Sequence, residues 1–451
     1  MQQVDIIIKN STILTMDNKT STVENGCLCV QGDSISHIGT GDEKEYSAPK
    51  IIDARGGLVL PGLINGHTHA AMSLFRGLAD DLPLMEWLNN YIFPVESKMD
   101  SDFVYTGTLL ACAEMIMSGT TTFCDMYLFE EQAVKAARKA GMRCLAGEAL
   151  YDFPSPNYGH VEEGLNYTES LIQKCADDPI ISIAVAPHSL FTCSPDLLTA
   201  ANELALKYEV PFVIHVAETL TEIDEVRKRY GKTPVNHLHS LGILGPHLIA
   251  DHCVYIYEEE IEMMAAYGVK VIHNPESNMK LASGIAPVPE MIAKGLNVGL
   301  GTDGCASNNN LDLFGEMDMT AKLHKVNSLD PTVMDTVTVL KMATIEGAKA
   351  LGIEDITGSL EVGKRADIII LDCNKPHLTP MYNPYSHCVY AASANDVSHS
   401  IINGRLIMED RRLISLDINE IIAKAEEKAV QVKQWVKGQG FNGSGFNKGR
   451  G

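Results

Sequence analysis

The segment PGLINGHTHAAMSLFRGLADDLPLMEWL, residues 61–88, says more about the fold than any other stretch of the chain. It opens with a short apolar run, and His67 and His69 stand two residues apart at the end of that run. Because side chains alternate along a strand, this spacing points both imidazoles toward the same face. An H-x-H pair alone is weak evidence for a metal site, so its significance depends on the residues that follow.

Seven further apolar runs follow, and most are separated by stretches with the spacing of amphipathic helices. With the first run they read LVLPGLING, TTTFCDM, MRCLAGEAL, ISIAVAP, FVIHVAE, LIADHCV, VKVIHNP and LNVGLGTD. Eight strands with helical connections at this length predict an α/β fold of the (β/α)8 barrel type. A doubly wound open sheet is the alternative, but it normally carries a glycine-rich phosphate loop after an early strand, and none is present.

Both ends of the chain are rich in β-prone runs, such as VDIIIKN near the start and GKRADIIILD near the end. Neither end has enough strands for a stable sheet alone, so we predict that they pair. Asn403-Gly404 predicts a hairpin turn. The expected domains are a β-sandwich made from residues 1–59 and 361–416, a metal-dependent barrel over 60–360, and a closing helix with a glycine-rich tail over 417–451.

Composition narrows the class of protein. Of 451 residues, 45% are hydrophobic and 21% are charged, as in an ordinary globular chain. Asp plus Glu number 58 against 36 Lys plus Arg, a net charge of −22 that disfavours nucleic acid and membrane surfaces as partners. Scattered cysteines without a C-x-x-C pair, and an N-terminus without a leader pattern, favour the cytoplasm. We expect a homo-oligomer that acts on a small molecule.

Three further metal-competent residues end other apolar runs. His215 ends the fifth run, His252 the sixth and Asp303 the eighth. A histidine packed in the core is the ordinary explanation for any one of the histidines. Here that explanation would have to be repeated several times at the same level of the barrel, where functional groups lie, so a shared site is favoured. Imidazole and carboxylate together suit zinc or iron(II) with one position open for water. Glu218 lies just past His215, where a carboxylate that is not a ligand is a natural proton carrier.

These motifs, with APHS after the fourth run, GTDGCASNNNLDLFGEM and GSLEVGKRADIIILD, resemble the amidohydrolase superfamily. Within its mononuclear deaminase branch, the chain is similar to the 5-methylthioadenosine/S-adenosylhomocysteine deaminases over nearly its whole length. The resemblance implies hydrolytic deamination of the adenine ring of a 5′-modified adenosine, which yields the inosine analogue and ammonia. The partner would be a nucleoside.

The resemblance also implies a role for each site residue. One divalent metal per subunit, zinc or alternatively iron, would be held by His67, His69, His215 and Asp303. The catalytic residues would be Glu218, His252 and Asp303. Substrate would be bound by Glu96, His188, Glu218 and Asp303, with Glu96 on the ribose hydroxyls. Trp87 would either have a core or lid role or contact the purine. The fourth run, ISIAVAPHS, has no lysine to bridge a second metal.

The chain departs from some relatives after the third run, where arginines would meet the distal end of the substrate. The residues offered here are acidic and aromatic: Glu148, Tyr151, Asp152, Phe153, Tyr158 and His160. Methylthioadenosine, 5′-deoxyadenosine or adenosine are therefore expected over S-adenosylhomocysteine, unless Arg76 or a neighbouring subunit supplies a cation.

Two rival functions stay open. The same metal set serves guanine, 8-oxoguanine and pterin deaminases and triazine chlorohydrolases, but their substrates have no ribose diol for Glu96. A non-catalytic scaffold would lack ligands, and this chain lacks none.

Overall fold

The N-terminal residues form seven strands, as their composition predicts. The computed structural model describes residues 1–41, 43–82 and 84–437. Its first strands are β1 (Gln2–Gln3), β2 (Ile6–Leu14), β3 (Thr22–Gln31), β4 (Ser34–Thr40), β5 (Tyr46–Ser47), β6 (Lys50–Asp53) and β7 (Leu58–Pro61). β2, β3 and β4 run antiparallel, whereas β6 and β7 lie parallel to β2.

All eight predicted central strands are present, and the paired ones are parallel. They are β8 (Leu63–Thr68), β9 (Thr120–Tyr127), β10 (Arg143–Leu150), β11 (Ile181–Ile183) with β12 (Ala186–Pro187), β13 (Phe212–Val216), β14 (Leu248–His252), β15 (Lys270–His273) and β16 (Asn297–Leu300). β8 to β12 form one sheet and β13 to β16 another. Parallel bridges from Val185 to Phe212 and from Ser189 to His215 connect the two sheets.

Helices connect these strands and cover them. They are α1 (Leu84–Trp87), α2 (Phe93–Glu96), α3 (Ser101–Met117), α4 (Glu130–Ala140), α5 (Val161–Cys175), α6 (Pro195–Tyr208), α7 (Leu220–Tyr230), α8 (Pro234–Ser240), α9 (Glu258–Tyr267), α10 (Pro275–Lys280), α11 (Val288–Ala293), α12 (Leu313–Ser328), α13 (Thr336–Met342), α14 (Ile345–Ala350), α15 (Pro384–Tyr390) and α16 (Ile418–Lys437). A π-helical turn, Leu88–Ile92, joins α1 to α2. The predicted closing helix is α16. The predicted tail, residues 438–451, lies outside the described residues.

The first apolar run divides between two sheets. Its first half, β7, pairs with β2, and its second half, β8, pairs with β9. Gly62 stands between them, and a Cβ there would lie 2.1 Å from Thr121 Oγ1, so only glycine allows this close crossing. The predicted boundary between residues 59 and 60 therefore falls inside β7, because a continuous apolar run does not reveal a change of sheet.

The two ends of the chain share one mixed sheet. The late strands are β17 (Ile368–Leu371), β18 (Val397–Ile402), β19 (Arg405–Glu409) and β20 (Arg412–Leu413). β17 pairs with β7, so the sheet runs in the order β20-β19-β18-β17-β7-β2-β3-β4 with β6 beside β2. The β18–β19 hairpin turns at Asn403 and Gly404, with φ of +49° and +74°, which confirms the turn prediction.

Apolar burial dominates the interior. The largest apolar cluster extends from the eight parallel strands into their covering helices, and a smaller one fills one face of the mixed sheet. Every cysteine except Cys373 is buried. Among the described residues, no helix combines the length and apolarity that crossing a bilayer requires.

A buried ion pair joins the parallel strands to the mixed sheet. Arg143, at the start of β10, places Nε 3.0 Å from Asp367 Oδ2, and both side chains are buried. The same guanidinium donates to Pro179 O at 2.9 Å. Asp367 Oδ1 accepts the backbone N–H of Asn403 at 2.6 Å. Pairing satisfies two charges that would be costly to bury singly.

Arg143→Met should therefore destabilise the protein by about 3–5 kcal/mol, because it leaves the Asp367 carboxylate buried without its counter-charge. The matched control is Arg138→Met. Arg138 also pairs with an aspartate, at 2.7 Å from Asp178, but its side chain is 42% exposed, so the loss should be at most about 1 kcal/mol. Urea unfolding of both variants measures the difference. Equal losses would contradict a special role for the buried pair.

Candidate active site

Four histidines and an aspartate meet where the parallel strands end. His67 lies in β8 with His69 just beyond it, His215 is the next-to-last residue of β13, His252 ends β14, and Asp303 follows β16. Asp303 Oδ1 is 3.2 Å from His69 Nε2 and 3.6 Å from His67 Nε2. His215 Nε2 is 3.4 Å from His69 Nε2, and His252 Nε2 is 4.0 Å from Asp303 Oδ2. The residues singled out from sequence thus share one small volume.

The second nitrogen of each ring shows what this cluster fits. His69 Nδ1 lies 2.5 Å from Met126 O and His215 Nδ1 lies 2.6 Å from His188 O. A carbonyl oxygen only accepts, so both Nδ1 atoms carry a proton, and in the neutral rings both Nε2 atoms present bare lone pairs. Two bare lone pairs 3.4 Å apart repel each other unless a cation lies between them. The donor set therefore fits a divalent metal.

The other two rings are oriented in the same manner. His67 Nδ1 is 2.9 Å from Asp251 Oδ2, and His252 Nδ1 is 2.9 Å from Asn278 Oδ1. Partners of this kind fix the tautomer and orientation of metal-binding imidazoles. Neither Asp251 nor Asn278 was identified from sequence. The only local signal was that Asp251 immediately precedes His252 in the sixth run.

Asp303 is fixed by short polar contacts. Its Oδ2 accepts the hydroxyls of Ser277 at 2.6 Å and Ser307 at 2.9 Å, and its Oδ1 accepts Gly304 N at 2.7 Å. Asp303 has a left-handed backbone with φ of +60°, and His252 has one with φ of +70°. Non-glycine residues rarely adopt this conformation, and it concentrates at functional sites. Neither serine was identified from sequence.

The motif GTDGCASNNNLDLFGEM braces the loop that carries Asp303. Asn308 Nδ2 donates to Thr302 O at 2.8 Å and to the buried Glu316 at 2.5 Å. Asn310 Nδ2 donates to Glu276 at 2.7 Å. The asparagines and the glutamate of this motif thus hold the loop in place between α10 and α12.

A cavity of about 770 Å³, measured out to solvent at its mouth, opens above the cluster. Glu218 lines it, accepts a hydrogen bond from Ser283 Oγ at 3.3 Å, and has its pKa raised by burial. The apolar side of the cavity is formed by Trp87, Leu88, Ile92, Phe93, Tyr151 and Phe191. Among the described lining residues there is no lysine or arginine.

Glu96 also faces the cavity, from the end of α2. Tyr127 donates its hydroxyl to Glu96 Oε1 at 2.7 Å. Burial raises the pKa of Glu96 to about 7, against the lowering effect of the Tyr127 hydrogen bond. Tyr127 was missed, because a tyrosine at the end of a β-strand reads as ordinary packing. Tyr127 thus occupies one acceptor position of the Glu96 carboxyl group, at Oε1.

His188 lies beside the histidine cluster. Its ring centroid is 4.9 Å from that of His215, and Nδ1 is 3.0 Å from Thr192 Oγ1. Burial is the main cause that lowers the pKa of His188, to about 3. The ring is therefore neutral and presents a hydrogen-bonding edge rather than a charge.

The segment after the third run differs from expectation, since of its singled-out residues only Tyr151 lines the cavity. Glu148 is buried and accepts the backbone N–H groups of Glu130 at 2.9 Å and Phe129 at 3.2 Å, which begins α4. Asp152 accepts Ser194 N at the start of α6. Both acids serve helix starts, a use that depends on tertiary contacts.

Arg76 is not part of the described cavity lining. Its guanidinium donates to the Glu114 carboxylate and to Asn309 O. The cation that the sequence analysis left open as a partner for a substrate carboxylate is thus already paired.

With this geometry in view, comparison with known proteins is informative. The amidohydrolase family model matches residues 58–407. The chain belongs to the amidohydrolase family. This amidohydrolase is 56% identical to the 5-methylthioadenosine/S-adenosylhomocysteine deaminase of Syntrophobacter fumaroxidans, over 96% of this chain and 99% of that protein. It is 45% identical to the 5′-deoxyadenosine deaminase of Methanosarcina mazei, over 95% and 98%.

A solved structure is similarly close. The crystal structure of an adenosine deaminase from Xanthomonas campestris with bound zinc superposes with a TM-score of 0.94. It is 34% identical to this amidohydrolase and covers 96% of this chain and 99% of its own. The superposition extends over nearly the full length of both chains.

The geometry predicts about one tightly held zinc or iron ion per chain, measured by elemental analysis after dialysis. His215→Ala should lose most of that metal because it removes a convergent donor. His237→Gln is the control, since His237 stacks on Tyr230 at 4.0 Å outside the described cavity lining. Two retained ions per chain, or full metal in His215→Ala, would contradict the assignment.

Proposed function

We propose that this amidohydrolase deaminates the adenine ring of 5′-modified adenosines, releasing ammonia and the inosine analogue. The observation that carries the proposal is that one cavity brings together two arrangements. The first is the histidine and aspartate donor set with Glu218, and the second is the Glu96–Tyr127 pair. The first arrangement suits hydrolysis at a ring carbon, and the second suits a ribose diol. The names of the relatives support the same class of substrate.

The architecture belongs to the same proposal. We infer that the eight strands close into a barrel and that the mixed sheet forms the β-sandwich domain from both chain ends. In support, Asp303 N donates to His67 O at 3.0 Å, and the Asn65 side chain bonds both Thr302 Oγ1 at 2.8 Å and Thr302 N at 3.0 Å. These bonds link the first and eighth runs. The homo-oligomer and the cytoplasmic location stay predictions.

His67, His69, His215 and Asp303 would hold the metal, for which zinc is proposed ahead of iron. When bound, the metal makes water a nucleophile at neutral pH by lowering its pKa toward ~7. Asp303 is fixed by serine hydroxyls on Oδ2 and takes up the proton that the water gives as its oxygen attacks C6.

Glu218 supplies the complementary proton. Burial raises its pKa, so a proton can reside on its carboxyl group and be donated to N1 of the purine, which makes C6 electrophilic. His252 stabilises the tetrahedral centre as the C–O bond forms. Asp303 then passes its proton to the amino group, and ammonia leaves as the C–N bond breaks. The proton of the new C6 hydroxyl returns to Glu218, which leaves the C6 carbonyl of the inosine analogue and restores the acid. A glutamate has the same acid–base role in unrelated zinc nucleobase deaminases.

Glu96 favours a nucleoside over the rival substrates. Tyr127 bonds its Oε1, and Glu96 lines the cavity. A buried carboxylate needs hydrogen-bond donors, and a ribose diol supplies two. Guanine, pterins and triazines supply no diol, so they would leave this group unsatisfied.

Glu96→Gln should reduce kcat/KM for adenosine much more than for 2′,3′-dideoxyadenosine. Each charge-assisted hydrogen bond to the diol contributes about 1.5–3 kcal/mol, and the dideoxy substrate has none to lose. Steady-state kinetics on both substrates, with metal content measured alongside, make the comparison. Equal losses on the two substrates would remove Glu96 from the ribose site.

Methylthioadenosine or 5′-deoxyadenosine should have a higher kcat/KM than S-adenosylhomocysteine. The described lining has no cation for an amino-acid carboxylate, whereas its aromatic wall accepts an apolar 5′ group. The loss of absorbance as adenine becomes hypoxanthine gives the rates at one pH. A clear preference for S-adenosylhomocysteine would show that a cation reaches the cavity from elsewhere. Failure to turn over any of the three would overturn the proposed function.

A further inference from the structure

The turn that carries Glu218 is held by another glutamate. Ala217 adopts a left-handed backbone with φ of +53°, and α7 begins directly after Thr219. Glu222, in the first turn of α7, reaches back so that Oε1 accepts Ala217 N at 3.0 Å and Oε2 accepts Glu218 N at 2.8 Å. Both carboxylate oxygens are therefore occupied by consecutive amides next to the proposed proton donor.

This arrangement differs from an ordinary helix cap. Thr219 caps α7 by accepting Glu222 N at 3.3 Å, and a glutamate at that helix position normally accepts the N–H of the capping residue itself. Glu260 does so in α9, where it accepts Tyr257 N at 3.0 Å. Glu222 instead bonds residues before the cap, and it also lines the cavity, which Glu260 does not among the described lining residues.

Glu222 is buried, so its hydrogen bonds to the two amides are shielded from water. Its side chain is almost completely withdrawn from solvent, and the amides of Ala217 and Glu218 supply the hydrogen bonds that its buried oxygens need. Water therefore does not replace those bonds readily. The peptide planes on either side of Ala217 keep one orientation, and with it the direction of the Glu218 side chain toward Ser283.

We propose that Glu222 is a positioning residue for the reaction: its carboxylate fixes the 217–218 backbone and thereby aims Glu218 at the substrate. The inference rests on the proposed role of Glu218. Glu222 acts through Glu218 and takes no part in bond making itself.

The test is Glu222→Gln, because a glutamine oxygen can accept one of the two amides while its NH2 group faces the other donor. Misplacement of a catalytic group by about 1 Å can cost a hundredfold, so kcat should fall roughly ten- to a hundredfold with KM and metal content unchanged. Glu260→Gln is the matched control, with a comparable change in thermal midpoint and unchanged kcat. A kcat for Glu222→Gln within twofold of the parent would overturn the proposal, as would loss of metal together with activity.

A double variant separates positioning from general stability. If Glu222 acts through Glu218, Glu218→Asp with Glu222→Gln should be no slower than Glu218→Asp alone, because effects of residues that act as a unit do not add. Multiplying losses would overturn the inference. Failure of the proposed function is distinguishable, because it appears as absent turnover in the parent or as an unimpaired Glu218→Asp.

Discussion

Mutual repulsion among imidazole lone pairs is the constraint on which the site depends. Backbone carbonyls fix the protons of His69 and His215 on Nδ1, so in the neutral rings the two Nε2 atoms face each other 3.4 Å apart without a proton between them. A folded chain tolerates this only if a cation compensates or if the surrounding structure holds the rings in place. Many of the polar side chains at the strand ends form hydrogen bonds that hold these rings and Asp303 in place.

The holding groups come from distant parts of the chain. Asp251 faces His67, Asn278 faces His252, and the hydroxyls of Ser277 and Ser307 fix Asp303. Parallel strands bring their carboxyl ends to one edge, so a side chain from one strand is supported by residues in or after another. The fixed position of these side chains therefore reflects packing of the whole parallel sheet system, including the buried pair of Arg143 and Asp367 that fixes it to the mixed sheet.

The cavity has two chemically different parts, one lined by ionisable side chains and the other by apolar and aromatic ones. Its lining includes Glu218, His252 and Asp303, where charge changes during the proposed reaction. Its wall toward α1 and α2 is apolar and aromatic, apart from Glu96 and its tyrosine partner. Acidic residues outside it, such as Glu148, serve helix starts instead. The distribution of charge thus matches a ligand with a polar ring, a diol and an apolar end.

The sequence by itself determined the eight parallel strands, the hairpin at Asn403-Gly404 and the ends at which His67, His69, His215, His252 and Asp303 stand. Hydrophobic periodicity reports local geometry, and a polar residue that ends an apolar strand is a local feature. Only the tertiary structure decided the rest. The division of the first run at Gly62, the pairing of Tyr127 with Glu96, and the diversion of Glu148 and Arg76 to structural partners all join residues from separate elements. Periodicity along the chain carries no information about such contacts, because they are set by how the elements pack against one another.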